Sequence, residues 1–496
     1  MNEQTLVSKV WNYAHVLRDE GIGYGDYVGQ ISFLLFLKMD EERTAYLGEP
    51  SLIPEPYQWS TIKGKTGEAL DRHYKLALSE LAKRTDFVGT LFLKAESKIN
   101  DPAKLQRLVT LINGETWMGV NVDVKGAIYE GLLERNAGEV KSGAGQYFTP
   151  RPLINAMVEV VDPAPTETVC DPACGTGGFL LAAYEHMKDK PAAKDRAVNR
   201  RLRDEMFRGY DIVPEVVRLC AMNLYLHGIG GDKSPVIPAD ALANDSGERF
   251  DLVLANPPFG KKSSTVIVGE DGRTSTEKDT IERDDFWATT SNKQLNFVQH
   301  IKTLLATHGR AAVVLPDNVL FEGGAGETIR KKLLHECDVH TLLRLPTGLF
   351  YAQGVKANVL FFEKKGASET PWTKQLWIYD LRTNKHFTLK TNPLTRADLD
   401  EFVDLYKVGN RHQRAATWSQ EYPDGRWRAF SYDELVARDK TSLDIFWLKD
   451  ESLADSDNLP APGVIAQEIV EDLQAALEQF KLIAADMGAD VEEVAP

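Results

Sequence analysis

Long apolar runs are missing from this 496-residue chain, and none approaches the roughly 20 residues that a membrane-spanning helix needs. That absence excludes a helical membrane protein. The N-terminus has no signal-peptide pattern, so a cytoplasmic protein is expected. Cysteine is scarce as well: Cys170, Cys174, Cys220 and Cys337 make neither a disulfide scaffold nor a paired metal framework. His300, His308, His335 and His340 do not stand at metal-ligand spacing, and no metal site is expected. Positive charge is in deficit, with 58 Lys and Arg against 73 Asp and Glu and a net charge of -15. Since neutralising phosphates supplies most non-specific affinity for DNA, this balance counts against a stand-alone nucleic-acid binder. Either DNA is not the substrate or another chain grips it. A local basic groove stays open, because Arg151, Lys261, Lys262, Arg344 and Lys356 fall near the edges of the candidate site.

What is present is the composition of a soluble globular protein, 43% hydrophobic and 26% charged. The length exceeds what one core holds, so two or three domains are expected. Residues 1–140 read as a helical domain, with apolar periodicity around Leu6–Leu17, Tyr27–Glu42, Thr66–Lys83, Pro102–Asn113 and Val124–Glu134, broken at Gly21–Gly25. Residues 141–397 read as an α/β domain of the doubly wound, Rossmann-like kind. Residues 398–496 read as a C-terminal region, polar and irregular at first, where Trp418, Trp427 and Phe430 hint at a small packed subdomain. It closes on a helical extension near 464–484, whose apolar stripe Ile465, Ile469, Leu473 and Leu477 suits either its own core or a partner.

Chemistry gathers in the middle domain. Asn256-Pro257-Pro258-Phe259 closes the apolar run Phe250–Ala255, a buried parallel strand that stops at two prolines. The carboxyl ends of such strands are where ligands bind. A nucleobase amine is a poor nucleophile because its lone pair is delocalised into the ring. The Asn256 amide oxygen and the Pro257 carbonyl can accept its hydrogens, localise the lone pair and let it attack an electrophilic methyl. Phe259 would stack on the base once it is out of the duplex. The plain alternative is a proline-punctuated strand end.

Upstream, Gln146-Tyr147-Phe148-Thr149-Pro150-Arg151 forms a loop that leads into a helix over Leu153–Val161, where a structural linker is the alternative. The stretch Cys170–Phe179 reads as strand, glycine turn and helix. It lacks the third glycine of a dinucleotide fingerprint, since Leu180 stands there. Its Asp171, Gly175, Thr176 and Gly177 line a loop that a ligand can approach closely. Asp211 ends the next strand, where a ribose diol is held in such sheets, although it also suits a helix cap. Asp240 ends a third strand, well placed for an adenine amine. Residues 261–293 show no periodicity and read as a lid or as disorder. Helix then returns at Gln294–Thr307 and Gly326–Glu336, with strands at Ala311–Leu315, Thr341–Leu345, Ala357–Phe362 and Leu376–Leu381.

In this order the motifs resemble S-adenosylmethionine-dependent adenine-N6 DNA methyltransferases, and more narrowly the modification subunit of type I restriction-modification systems. Tyr129–Glu134, Leu315–Phe321 and Arg344–Phe350 extend the resemblance over nearly the whole chain. It implies that Gln146 to Arg151 and Gly175 to Gly177 contact S-adenosylmethionine, with Asp171 near its methionine amine, Asp211 on its ribose and Asp240 near its adenine. Asn256, Pro257, Pro258 and Phe259 would then hold the target adenine. The implied partners are DNA, a DNA-specificity subunit, a second copy of the chain and, for cleavage, a restriction subunit. Methylation of RNA or of a protein glutamine, and a non-catalytic cofactor-binding scaffold, remain as alternatives.

Overall fold

The computed structural model describes residues 24–48, 50–117, 149–259, 280–350, 355–388 and 391–450, the backbone of 264–268 and 274–278, and the single residues 10, 13, 16, 17, 467, 470, 473, 474 and 477. The chain divides into two compact units, Met1–Gly143 with Ala164–Asp240, and Ala144–Pro163 with Ala241–Pro496.

In the first unit the helices Tyr24–Leu47, Gly67–Ala82 and Pro102–Asn113 lie where the apolar spacing predicts them. The first begins before Gly25, a residue that reads as a break in the sequence. Local chemistry sets the start of the third. Pro102 occupies its opening turn, and the Asp101 carboxylate accepts from the Ala103 N–H at 2.8 Å. Three short strands, β1 (Val169–Asp171), β2 (Phe207–Asp211) and β3 (Val236–Pro238), run parallel in that order. The helix Pro214–Leu226 between β2 and β3 is buried from Val216 to Leu226. A helix buried on every side has to be covered on every side. The strands β2 and β3 cover one face, and the helices Tyr24–Leu47 and Phe87–Leu91 cover another. At this junction Phe36 and Phe87 pack on Tyr225, with ring centroids 5.6 and 6.0 Å away. The Tyr225 hydroxyl donates to Asp40 Oδ1 at 2.8 Å and accepts from Arg43 at 2.7 Å. The N-terminal helices therefore brace the layer behind β2.

In the second unit β4 (Phe250–Ala255) is followed by an antiparallel pair, β5 (Ser264–Val268) and β6 (Thr274–Lys278). Within residues 261–293, which read as a lid or as disorder, strands form at 264–268 and 274–278, and residues 280–292 stay irregular apart from a bridge between Ile281 and Thr290. The β-branched run Thr265-Val266-Ile267-Val268 favours the first of these strands. The sheet continues with β7 (Leu305–Pro316), β8 (Cys337–Arg344), β9 (Ala357–Lys364), β10 (Gln375–Asp380) and β11 (Trp427–Ser431). Across the unit the order is β4, β7, β9, β8, β10, β11. The pairs β4/β7 and β8/β10 are parallel, while β9 runs antiparallel to both β7 and β8. Trp427 and Phe430, which hint at a packed subdomain, lie instead on β11, paired antiparallel with β10. There Trp427 stacks on Trp377 at 5.3 Å. Arg344 is no groove cation, because it is buried between Asp380 at 3.2 Å and Asp444 at 3.1 Å. A guanidinium removed from water needs such pairing.

The helix Arg151–Val161 belongs to this second unit. Leu153, Ile154, Met157, Val158 and Val160 are buried on it, and the Val161 carbonyl accepts from Arg310 Nε of β7 at 2.9 Å. With 11 residues it is about 16 Å long, enough to carry the chain across one face of a sheet.

Candidate active site

At the carboxyl edge of the first unit's strands, β1 delivers Asp171 and β2 delivers Asp211. Asp171 is only 1% exposed, and its Oδ1 accepts from the Ala173 N–H at 3.0 Å. Burial is the main cause that pushes its carboxyl up to about 8, and the neighbouring Asp211 adds to the shift. The Asp211 carboxyl is half-buried and also raised by burial. Its Oδ1 accepts from the Val213 N–H at 2.9 Å, and the backbone of Gly175 lowers its pKa in opposition. These two carboxyls therefore belong to one cluster with the glycine turn. In that turn Gly177 has φ +83°, and a Cβ there would stand 2.9 Å from Cys220 Sγ. Only glycine fits. The buried Asn223 holds the turn by donating to the Thr176 carbonyl at 3.0 Å. Asp240 is exposed, two residues beyond β3. Cys174 is buried against Gly209, where a Cβ would meet its sulfur at 2.9 Å, so it fills space beneath the loop.

At the carboxyl edge of the second unit's strands, Asn256 follows β4 directly and is half-buried. Its Nδ2 donates to Thr149 Oγ1 at 2.9 Å. Thr149, Pro150 and Arg151 open the helix Arg151–Val161, and Pro150 is its N-cap. Pro257 is buried and Pro258 half-buried. The Pro258 carbonyl accepts from Gln294 Nε2 at 3.1 Å. Phe259, 6% exposed, meets Phe350 edge to face with centroids 5.9 Å apart and planes at 71°. Amide, proline carbonyl and ring are thus each held by a different partner. Such a strand end can present hydrogen-bond acceptors to a planar amine.

Gln146, Tyr147 and Phe148 lie outside the described residues, as do Tyr129–Glu134. Among the described residues no group of three His, Cys, Asp or Glu is placed to hold a metal ion. Three residues escape a sequence reading. Gln294 sits at the start of the helix Lys293–Leu304, where Asn292 Oδ1 accepts from its N–H at 3.0 Å. Phe350 stands inside the Arg344–Phe350 motif, which marks the segment without marking the ring. Ile212, 66% exposed directly after Asp211, is an apolar side chain left in solvent beside a carboxyl cluster. Its signal is its position, one residue past an acidic strand end.

The N-6 DNA Methylase family model matches residues 120–424, and the HsdM N-terminal domain model matches residues 6–112. The StySPI methylase subunit of a type I restriction enzyme from Salmonella potsdam is 39% identical over 99% of this chain and 97% of its own. A modification subunit of a putative type I restriction enzyme from Vibrio vulnificus YJ016 superposes with a TM-score of 0.70 at 25% identity, over 91% of this chain and 97% of that one. A chain from a structural study of complex assembly and conformational transition in the type I R-M system superposes with a TM-score of 0.67 at 25% identity, over 98% and 99%.

Proposed function

Because this chain belongs to the N-6 DNA methylases, as a methylase subunit of the type I restriction-modification systems, we propose that Asn256, Pro257, Pro258 and Phe259 present the adenine amine and that Asp171, Gly175, Thr176, Gly177 and Asp211 hold S-adenosylmethionine. Family membership sets aside RNA, protein glutamine and a non-catalytic scaffold as readings of this chain. The fold is that of the S-adenosylmethionine-dependent methyltransferases.

The chemistry of the first unit's edge fits that cofactor. Asp171 is a buried carboxyl suited to an ammonium, because a cation beside it would offset the desolvation that now favours its neutral form. Asp211 is a half-buried carboxylate suited to a ribose diol. The glycine turn admits close backbone approach, and Ile212 offers apolar surface to a purine. Asp240, Pro150 and Arg151 join this set in the proposal, together with Gln146, Tyr147 and Phe148. When bound, the cofactor supplies an electrophilic methyl group.

The rest falls to the chain. Asn256 Oδ1 and the Pro257 carbonyl accept the two amine hydrogens and draw nitrogen toward tetrahedral geometry, which frees its lone pair. No strong base is needed, since nitrogen becomes acidic only once methylated and then loses its proton to water. Phe259 gives the extruded base a stacking surface. The observation that carries this reading is the placement of Asn256 at the end of β4 with its amide nitrogen engaged by Thr149.

We propose DNA, a specificity subunit, a second copy of this chain and a restriction subunit as partners, with the cytoplasm as the working compartment. The net charge of -15 supports delegated DNA reading, and Val470, Leu473 and Leu477 are helical and exposed. Among the described residues no helix is long and apolar enough to cross a membrane. The test is methylation of DNA, RNA and protein by the chain assembled with its specificity subunit. Methyl transfer to adenine in DNA is expected. Asn256→Ala should abolish it while cofactor affinity by calorimetry stays near wild type. Retained turnover in Asn256→Ala removes the residue from the mechanism.

A further inference from the structure

An asparagine amide has two ends of similar shape and opposite polarity, and its terminal torsion is broad and roughly two-fold. Only one orientation gives the adenine amine an acceptor. The other aims an NH2 at an NH2. A strand end alone does not fix the amide in the productive orientation, so a neighbour that bonds its nitrogen end is needed.

We propose that Thr149 is the positioning residue that fixes the Asn256 amide, its hydroxyl oxygen accepting from Nδ2 so that Oδ1 is left for the substrate. The inference rests on the reading of Asn256 as catalytic. It assigns to Thr149 a duty different from the cofactor contact that the family resemblance implies.

Several features fit Thr149 for the task. The hydrogen bond measures 2.9 Å, and Thr149 is 7% exposed, so water competes poorly for its hydroxyl. A β-branched side chain has few rotamers, which limits where its hydroxyl can go. Pro150 follows it and confines its backbone to extended conformations. The helix that Pro150 opens is pinned at its far end, where the Val161 carbonyl accepts from Arg310 at 2.9 Å. Arg310 lies on β7, the parallel neighbour of β4, opposite Leu252 in the register. Asn256 follows the last residue of β4. Thr149 and Asn256 are therefore fixed to the same pair of strands from opposite ends, and the hydrogen bond closes that frame.

The experiment compares Thr149→Val, Thr149→Ser and Asn256→Ala with wild type in the enzyme assembled with its specificity subunit. Three quantities are read: kcat at saturating S-adenosylmethionine, cofactor Kd by calorimetry, and melting temperature. Thr149→Val should lower kcat about tenfold, the kinetic equivalent of one hydrogen bond, with Kd and melting temperature near wild type. Thr149→Ser, which keeps the hydroxyl, should restore most of the rate. The assignment is overturned if Thr149→Val turns over like wild type. It is equally overturned if Thr149→Val weakens cofactor binding with kcat unchanged, which makes the hydroxyl a cofactor contact. A lower melting temperature in Thr149→Val with no rescue of rate by Thr149→Ser reduces the residue to packing and also overturns it. If Asn256→Ala keeps its activity, the failure belongs to the underlying reading of the site and not to Thr149 alone.

Discussion

Asp171 is a buried carboxyl whose proton should show in the protein's pH behaviour. With its pKa pushed up to about 8, the folded protein keeps the proton that the unfolded chain releases near pH 3.9. The stability this carboxyl contributes is complete below roughly pH 4 and is lost as pH rises toward 8. Cofactor binding has the opposite sign. In the proposed role the bound ammonium favours the carboxylate, so binding below pH 8 releases a proton. Affinity should therefore rise with pH from 6 toward 8 and flatten where a ligand α-amino group loses its charge, at roughly 7.7–8.0. Calorimetry in buffers of different ionisation enthalpy measures the released proton directly. Asp171→Asn should bind weakly and without that pH dependence, and a wild-type affinity that is flat from pH 6 to 8 contradicts the role. Residues of this kind are legible in sequence by type and place, since an acid after a short apolar strand is visible in Cys170-Asp171. Their partners are not. Thr149 and Asn256 stand 107 positions apart, and nothing in either neighbourhood announces the other.

Elements divide in the same way. Pro214–Leu226 is evident from a proline at its start and an apolar run interrupted only by Arg218 and Asn223 after Glu215, because local chemistry and burial agree. Strand β11 is not, because its partner β10 lies some 50 residues upstream and an intervening polar stretch conceals the pairing. The helix Lys293–Leu304 was legible as a helix, whereas the use of its first turn was hidden. Asn292 caps it, accepting from the N–H groups of Gln294 and Leu295 at 3.0 and 3.2 Å, and this holds Gln294 against the Pro258 carbonyl at 3.1 Å. Gln294→Ala removes that hydrogen bond from a half-buried carbonyl, a loss of about 0.5–1.5 kcal/mol. We expect a lower melting temperature and a reduced kcat, with cofactor Kd unchanged. An unaltered kcat would show that the Pro258–Phe259 peptide holds its place without Gln294.

For the whole molecule, charge and surface point outward. An acidic chain that acts on DNA needs a partner to grip the phosphates, and the proposed docking element is the C-terminal helix carrying exposed Val470, Leu473 and Leu477. Deleting residues 464–496 should leave a folded, cofactor-binding chain that no longer co-purifies with its specificity subunit. Size-exclusion chromatography of full-length and truncated chains with the partner tests this, and unfolding of the truncated chain would return the helix to its own core. Full-length chain alone should be silent on the cognate site. Efficient methylation by the isolated chain would overturn the delegation of DNA reading.

The discontinuity of the second unit also bears on how the protein is made. The helix Arg151–Val161 leaves the ribosome about 150 residues before β7, the strand that receives it, is complete. At 5–20 residues per second that interval lasts roughly 8–30 s. An 11-residue helix is marginal without tertiary contacts, so during this time Leu153, Ile154, Met157, Val158 and Val160 form an apolar segment lacking the neighbour that later covers it. The helix that Thr149 and Pro150 lead into is therefore a natural target for nascent-chain chaperones, and slow translation between residues 161 and 316 would prolong its exposure.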